Sequence, residues 1–237
     1  MNKRLDELKR NRDTILSRVK EHADRAHRSM DELQVLCVSK LQSVEDVLML
    51  YQLGQRDFAE NRPELLAERV ATLPEAVSQE INWHQIGTIQ RRKIREIASI
   101  NPMIHSLDRL SLAKALNEMG QAQQRSWSCL IQVNGSQEEQ KHGISLEELP
   151  RFLESIREFE HLKLLGLMTM AEAHASESRL HQTFAAVREA RESIRSQAGL
   201  LRQPELFQEL SMGMSDDYPI AIEEGATILR IGRAFFQ

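Results

Sequence analysis

Lys40 is the residue of this 237-residue chain whose type and position point most directly to chemistry. It follows the mostly apolar run of residues 35–39, which predicts a buried strand with this lysine as its last residue. An amine held in a buried pocket has a lowered pKa and can act as a nucleophile towards an aldehyde. A lysine at a strand end can instead extend its ammonium group into water. The run alone leaves both interpretations open.

A loop at residues 211–217 has the composition of a phosphate-binding segment. It contains Ser211, Gly213 and Ser215, and it leads into a predicted helix. Glycine allows close backbone approach, serine hydroxyls donate hydrogen bonds, and a helix start offers free N–H groups. Gly232 is placed to add its backbone amide to the same cradle. Ser215 or Asp216 could instead cap the following helix, and one loop can do both.

Arg230 lies in the last predicted strand with an apolar residue on either side. Alternation along the strand places Leu229 and Ile231 on one face and Arg230 on the other, so Arg230 is expected to point into the interior. A buried guanidinium group requires partners. One option is a structural ion pair with an acid such as Glu60. The other option is a bound ligand that presents an aromatic nitrogen.

Strand-like and helix-like segments alternate along the chain, and they must position these residues. Eight strands joined by helices favour a closed (β/α)₈ TIM barrel, an α/β fold with its active site at the carboxyl ends of the strands. The predicted strands cover residues 35–39, 56–59, 81–86, 103–107, 127–133, 163–169, 207–211 and 227–231. The predicted helices between them cover residues 44–53, 61–72, 90–99, 109–120, 146–157, 177–196 and 216–224.

The two ends of the chain depart from the ideal barrel. Leu5, Leu8, Ile15 and Val19 recur at helical spacing, so residues 1–30 are predicted to form an amphipathic helix. The sequence stops soon after the eighth strand, which leaves a truncated end without a full eighth outer helix. We expect the N-terminal helix to pack on the exposed barrel wall, within a single domain that spans residues 1–237.

Composition limits the classes of partner. The formal net charge of −4 provides no basic field for nucleic acid, and no apolar stretch reaches the roughly 20 residues of a membrane helix. The N-terminus lacks a secretory signal, and the two cysteines, Cys37 and Cys129, lie in strand-like runs. We therefore expect a cytoplasmic protein with buried free thiols and no metal site.

His84 and His105, near two strand ends, are interpreted as structural because a buried imidazole needs partners.

These residues together resemble the pyridoxal-phosphate-binding homeostasis family, the single-domain relatives of the alanine racemase N-terminal barrel. The resemblance extends over nearly the whole chain, from about Val35 to Phe236. Its motifs are Val38-Ser39-Lys40, Phe58-Ala59-Glu60-Asn61, Trp83-His84-Gln85-Ile86-Gly87, His105-Ser106-Leu107-Asp108, Lys141-His142-Gly143, Gly166-Leu167-Met168-Thr169-Met170, Ser211 to Asp217 and Arg230-Ile231-Gly232.

The resemblance implies a role for each candidate residue. Lys40 would hold pyridoxal 5'-phosphate as an internal aldimine, and Asn61 would lie near the ring hydroxyl. Arg230 would face the pyridine nitrogen. The phosphate would be surrounded by Ser211, Gly213, Ser215 and Gly232, with Arg233 beside it. The family commonly has a small hydroxyl residue in place of Arg233, which could add a charge-assisted phosphate contact or crowd the cradle.

The resemblance also implies a function, namely a protein that holds the cofactor for intracellular vitamin B6 homeostasis. We expect a monomeric carrier that is not an enzyme and that supplies pyridoxal phosphate to dependent apoenzymes. The alternative is an amino-acid racemase that uses the same cofactor attachment. Alanine racemases add a second domain with a tyrosine base, whereas Tyr51 and Tyr218 lie outside the motifs of this chain. Racemisation by two bases needs one on each face of the substrate.

Overall fold

Eight parallel strands form a closed barrel in the computed structural model, which describes residues 3–135 and 143–237. The barrel order is β4-β3-β2-β1-β9-β8-β7-β5, and a β4–β5 pairing closes it. The two-residue strand β6 pairs in parallel with the end of β5. The predicted TIM barrel is therefore confirmed. The strands are β1 Gln34–Val38, β2 Asp57–Glu60, β3 Asn82–Gln85, β4 Met103–Leu107, β5 Trp127–Asn134, β6 Ile144–Ser145, β7 Leu162–Met168, β8 Glu209–Ser211 and β9 Ile228–Ile231.

Helices connect the strands around the outside of the barrel. Two serines, Ser43 and Ser176, begin helices by accepting hydrogen bonds from backbone N–H groups of the first turn. The segment predicted as one helix over residues 90–99 is a 3₁₀ turn followed by a short helix, and the helix at residues 75–80 was not predicted. The helices are α1 Lys3–Arg25, α2 Val44–Gln52, α3 Pro63–Thr72, α4 Glu75–Glu80, α5 Ile94–Ile97, α6 Leu110–Gln123, α7 Leu149–Ile156, α8 Glu177–Ser196, α9 Tyr218–Glu223 and α10 Arg233–Phe236.

Helix α1 covers the part of the wall where the last outer helix, α10, has only four residues. Its apolar stripe is buried, and it packs on α2, α9 and α10. The Arg4 guanidinium donates to both carboxylate oxygens of Asp46 at 2.9 and 2.8 Å. The side-chain amide of Asn11 donates to the carbonyl of Phe235 at 3.1 Å. These bonds tie α1 to the first and last outer helices.

The strands divide the apolar side chains into two layers, as alternation requires. A large outer cluster lies between strands and helices and includes both cysteines, which are buried and unpaired. A small cluster fills part of the interior and is formed by Leu36, Val38, Ala59, Leu130, Met168 and Ile228. In residues 3–135 and 143–237, none of the helices is long and apolar enough to cross a membrane.

A buried ion pair fixes the loop that follows β1. The carboxylate of Glu60 is fully buried and accepts from Nε of Arg69 at 2.8 Å and from the hydroxyl of Ser39 at 2.8 Å. The same guanidinium donates to the carbonyls of Ser39 and Gln42 at 3.2 and 3.0 Å. Arg69 therefore holds the loop through its backbone, from a position in α3.

We predict that Arg69→Met destabilises the fold by about 3–5 kcal/mol, because it leaves the Glu60 carboxylate buried without a counter-charge. Urea unfolding at neutral pH measures the loss. Arg95→Met, at an exposed arginine of α5, serves as the control and should change stability by less than about 0.5 kcal/mol. The double variant Glu60→Gln/Arg69→Met should be more stable than the single one. A double variant as unstable as the single would contradict this account.

Candidate functional site

The loops that follow β1, β2, β8 and β9 meet at the carboxyl end of the barrel. The backbone N–H of Ser39 donates to the carbonyl of Ala59 at 3.0 Å, which sets the loop of Lys40 beside the strand that leads to Asn61. On the other side, Gly232 lies against Val38, since a Cβ added to the glycine would lie 3.4 Å from Cβ of that valine. The loops after β1, β2 and β9 therefore form one continuous arc of the barrel mouth.

Lys40 lies two residues beyond the end of β1, in a turn, and its side chain is exposed. The expectation of a lysine buried at the end of the strand is wrong. The reason is that β1 ends at Val38, so that Lys40 belongs to the loop at the open mouth. The amine of Lys40 is therefore not held in a buried pocket. The loop is nevertheless fixed, because Arg69 holds the carbonyls on both sides of the turn.

Asn61 follows β2 directly and packs against the loop after β3. A Cβ added to Gly87 would lie 2.1 Å from the carbonyl oxygen of Asn61, so only glycine allows this approach of the two loops. The carbonyl of Gly87 also accepts from the hydroxyl of Ser106 at 2.7 Å and from the side chain of Gln85 at 3.2 Å. The backbone position of Asn61 is therefore set by contacts from two neighbouring strands.

The loop after β8 is built tightly on Gly213. This glycine has φ +95°, and a Cβ there would lie 2.7 Å from Cβ of Ala221 in α9. Helix α9 begins at Tyr218, and the buried Asp217 precedes it and accepts from the N–H of Met214. The capping alternative is wrong, since neither Ser215 nor Asp216 caps this helix. Burial raises the pKa of Asp217 above its ordinary value.

The loops after β8 and β9 contain backbone N–H groups without an acceptor among the described residues. Within the part of the chain that the structure describes, the N–H groups of Gly213, Ser215 and Gly232 donate no hydrogen bond. Arg233, at the start of α10, donates to Asp216 at 2.6 Å, and both side chains are exposed. The ion pair joins the loops after β8 and β9. This arrangement has the donors that an anion such as phosphate requires.

Arg230 lies inside the barrel, as alternation predicted, and it is 4% exposed. Its guanidinium donates to the hydroxyl of Ser211 at 2.7 Å and to the carbonyl of Thr169 at 2.8 Å. Among the described residues, no carboxylate lies within 4 Å of it, and the option of an ion pair with Glu60 is wrong because that acid is bound to Arg69. Burial lowers the pKa of Arg230 to about 10, so it is still charged at neutral pH.

Ser211 differs from the other predicted phosphate contacts. Its side chain is fully buried inside the barrel, where the hydroxyl contacts Arg230 and His105. The hydroxyl is therefore used in holding Arg230. The remaining candidates around the mouth are Lys40, Asn61, Gly213, Ser215, Gly232 and Arg233. Lys141 and His142, from one motif of the resemblance, lie outside the described residues.

Comparison with known proteins decides the family. Residues 11–237 match the family model described as "Alanine racemase, N-terminal domain". The pyridoxal phosphate homeostasis protein of Pseudomonas aeruginosa is 38% identical over 223 residues, which cover 94% of this chain and 91% of the relative. The chain belongs to the pyridoxal phosphate homeostasis protein family. The protein of the same name from Escherichia coli K12 is 32% identical over 98% of this chain and 97% of its own length.

Solved structures agree with this family assignment. PipY of Synechococcus elongatus PCC7942, solved with PLP bound, superimposes with a TM-score of 0.78 at 29% identity, over 92% of this chain and all of PipY. A protein of unknown function from Bifidobacterium adolescentis gives a TM-score of 0.93 at 27% identity, over 100% of this chain and 97% of that one. Alanine racemase from Corynebacterium glutamicum, at 16% identity and TM-score 0.69, shares the fold and is covered over 60% of its length.

Sequence reasoning missed one part of this family member's site. His84 and His105 are both buried, as their structural interpretation predicted, but they also connect to Arg230. Nδ1 of His84 lies 3.0 Å from Nε2 of His105, and Nδ1 of His105 lies 2.9 Å from the hydroxyl of Ser211. Alternation was the available signal, because Trp83 packs in the outer core and its neighbour His84 must then face inward. The sequence did not predict that His84 contacts His105 or that His105 contacts Ser211, because these residues lie on different strands.

The buried His105 should make the stability of the protein depend on pH. Burial, the adjacent His84 and the charge of Arg230 hold the pKa of His105 well below its usual range. In the unfolded chain this imidazole takes up a proton near pH 6.5, so stability is full above that pH and falls as the pH decreases towards the folded pKa. We predict a slope of up to about 1.4 kcal/mol per pH unit from this residue.

Urea unfolding from pH 7 to pH 5 measures this slope in the wild type and in His105→Asn, which removes the titrating group. The variant should show a flatter dependence over this range. His174→Asn, at an exposed histidine, should retain the wild-type slope. Equal slopes in wild type and His105→Asn would show that His105 does not contribute.

Proposed function

We propose that this chain binds pyridoxal 5'-phosphate at the barrel mouth and holds it for intracellular homeostasis. The observation that carries the proposal is Arg230, a buried cation that has only neutral hydrogen-bond partners among the described residues. A buried guanidinium without a counter-charge is costly unless a further partner binds it. An aromatic nitrogen with a lone pair is such a partner.

The other residues of the mouth fit the remaining parts of this cofactor. The free N–H groups of Gly213, Ser215 and Gly232 can bind a phosphate, and a side chain at Gly213 would fill the space of the loop. Arg233 adds a positive charge beside them. Lys40 supplies a primary amine on a loop fixed by Arg69, and Asn61 adds a polar side chain on the neighbouring loop after β2. We propose this set as the cofactor site.

The charge of Arg230 also bears on what the protein does with the cofactor. When bound, pyridoxal phosphate supplies an electrophilic aldehyde carbon and a ring that withdraws electrons. An arginine that is permanently protonated disfavours a second proton on the ring nitrogen, and this weakens the electron withdrawal. This chemistry suits a carrier, or a racemase with little excess carbanion stabilisation, and the arginine alone does not choose between them.

The racemase alternative lacks a tyrosine base at this site. The hydroxyl of Tyr51 in α2 donates to Glu80 at 2.6 Å, outside the barrel. Tyr218 begins α9 and packs edge-on against His22 of α1, with ring centres 5.9 Å apart. These are the two tyrosines of the chain. Since racemisation by two bases needs one on each face of the substrate, we propose a carrier without catalytic turnover.

The setting of this carrier is part of the same proposal. The relatives in Pseudomonas aeruginosa and Escherichia coli K12 are named homeostasis proteins, which supports supply of cofactor to dependent apoenzymes. Two buried free thiols, Cys37 and Cys129, are compatible with the reducing cytoplasm. We propose a cytoplasmic protein that acts as a monomer.

Substitution of Lys40 tests the cofactor site. Wild-type protein incubated with pyridoxal phosphate should develop a visible absorption band, and borohydride reduction should leave one added cofactor on Lys40, located by peptide mass spectrometry. Lys40→Ala should lose both signals, because Lys40 is the amine that we assign to the cofactor's aldehyde. Lys114→Ala, at an exposed lysine of α6, should retain both. Wild-type protein without the band at saturating cofactor would overturn the proposal.

A turnover assay separates the carrier from the racemase. Loaded protein incubated with single enantiomers of amino acids should show no racemisation near the roughly 1–10³ per second of ordinary enzymes. Chiral chromatography measures the exchange. Turnover in that range, lost in Lys40→Ala, would establish an enzyme and contradict the carrier role.

A further inference from the structure

A line of polar side chains crosses the barrel interior from β2 to β9. Hydrogen-bond distances join four buried residues, His84, His105, Ser211 and Arg230, and the partly exposed Asp57 lies beyond hydrogen-bond distance of His84. Nε2 of His84 lies 3.8 Å from Oδ1 of Asp57, and Nδ1 of the same ring lies 3.0 Å from Nε2 of His105. Nδ1 of His105 lies 2.9 Å from the hydroxyl of Ser211, which accepts from Arg230 at 2.7 Å. The line therefore ends at the guanidinium that we place against the cofactor ring.

The donor and acceptor roles along this line are determined by Arg230. A guanidinium only donates, so the oxygen of Ser211 must accept from it. Among the described residues, Nδ1 of His105 is the other hydrogen-bond partner of that hydroxyl. The serine oxygen could accept a second hydrogen bond, but its buried proton would then have no acceptor among the described residues. We therefore place the hydroxyl proton towards Nδ1 of His105, which then carries no proton.

The tautomers of both imidazole rings follow from this assignment. With Nδ1 bare, His105 holds its proton on Nε2 and donates it to Nδ1 of His84. His84 must then carry its proton on Nε2, the nitrogen that faces the carboxylate of Asp57. Burial raises the pKa of Asp57, but the nearby His84 and the hydrogen bonds that the carboxylate accepts from Asn82 and Gln34 hold it below its ordinary value, so this acid is ionised at neutral pH.

We propose that His105 is a positioning residue, which acts through Ser211 to hold the Arg230 guanidinium in its place against the cofactor ring. His84 and Asp57 keep His105 in the tautomer that can accept from the serine. The inference rests on the proposed function, because it assigns Arg230 to the ring nitrogen. Without the acceptor on His105, the serine hydroxyl is free to rotate, and Arg230 loses an ordered partner.

Two substitutions of His105 separate hydrogen bonding from bulk. Asparagine places its side-chain oxygen at the same distance from Cβ as Nδ1 of histidine, so His105→Asn retains the acceptor. His105→Leu fills a similar volume without it. We expect His105→Leu to weaken cofactor binding about three- to tenfold, as for the loss of one buried hydrogen bond, and His105→Asn to retain most of the affinity. His161→Asn, at a histidine bound to the carbonyl of Arg125, is the control.

The pH profile of the bound cofactor's absorbance reports on Arg230 itself. A displaced guanidinium allows the ring nitrogen to take up a proton, so the midpoint of the profile should rise in His105→Leu and in Ser211→Ala. The double variant should show no larger shift than either single variant, because both act on one interaction. Ser211→Ala carries the test if the leucine variant does not fold. An unchanged midpoint in both single variants would overturn the positioning role.

Nitrogen NMR of the cofactor-free protein provides a test that does not depend on cofactor binding. Both His84 and His105 should show a protonated Nε2 and a bare Nδ1 at neutral pH. A protonated Nδ1 on His105 would overturn the inference even if the wild type binds the cofactor. If the wild type fails to bind cofactor while the NMR shows the expected tautomers, the proposed function fails and the hydrogen-bonded line stands as a structural feature.

Discussion

The constraint on which the site depends is a permanent positive charge inside the barrel. Arg230 cannot lose its proton at neutral pH, and its interior position on β9 removes it from water. The guanidinium donates hydrogen bonds to neutral groups, namely a hydroxyl from β8 and the carbonyl of the residue that follows β7. Three adjacent strands are thereby joined at the mouth. No described carboxylate is in hydrogen-bond contact with the guanidinium, although the charge of the buried Asp217 acts on it from a greater distance, and this distinguishes the site from an ordinary buried ion pair.

A second arginine lies outside the barrel and, unlike Arg230, forms an ion pair with a carboxylate. Arg69 in α3 is neutralised by Glu60, and its remaining donors hold the backbone of the loop that contains Lys40. The lysine side chain is left exposed on a loop that is itself fixed. Arg69 thus forms an ion pair and makes a loop rigid. Arg230 has neutral hydrogen-bond partners and lies where we propose that the cofactor ring binds.

The barrel itself does not decide function. Alanine racemase from Corynebacterium glutamicum shares the fold at 16% identity, which carries no statement about chemistry. Relatives at 32–38% identity over nearly the whole chain are named for homeostasis of pyridoxal phosphate. In this chain the two tyrosines lie outside the barrel, and we propose that the cation inside the barrel opposes a protonated ring nitrogen.

The sequence by itself determined the barrel, because hydrophobic alternation and helical spacing are local patterns that each segment carries alone. All eight predicted strands lie within two residues of their observed ends, and alternation placed Arg230 inward. Only the tertiary structure decided which partner each buried charge has. Glu60 was one of two candidate partners of Arg230 and instead binds Arg69, and Lys40 is exposed because β1 ends two residues before it. The line from Asp57 to Arg230 likewise depends on the closure of the barrel, since contacts between residues on different strands depend on register and stagger, which no single segment encodes.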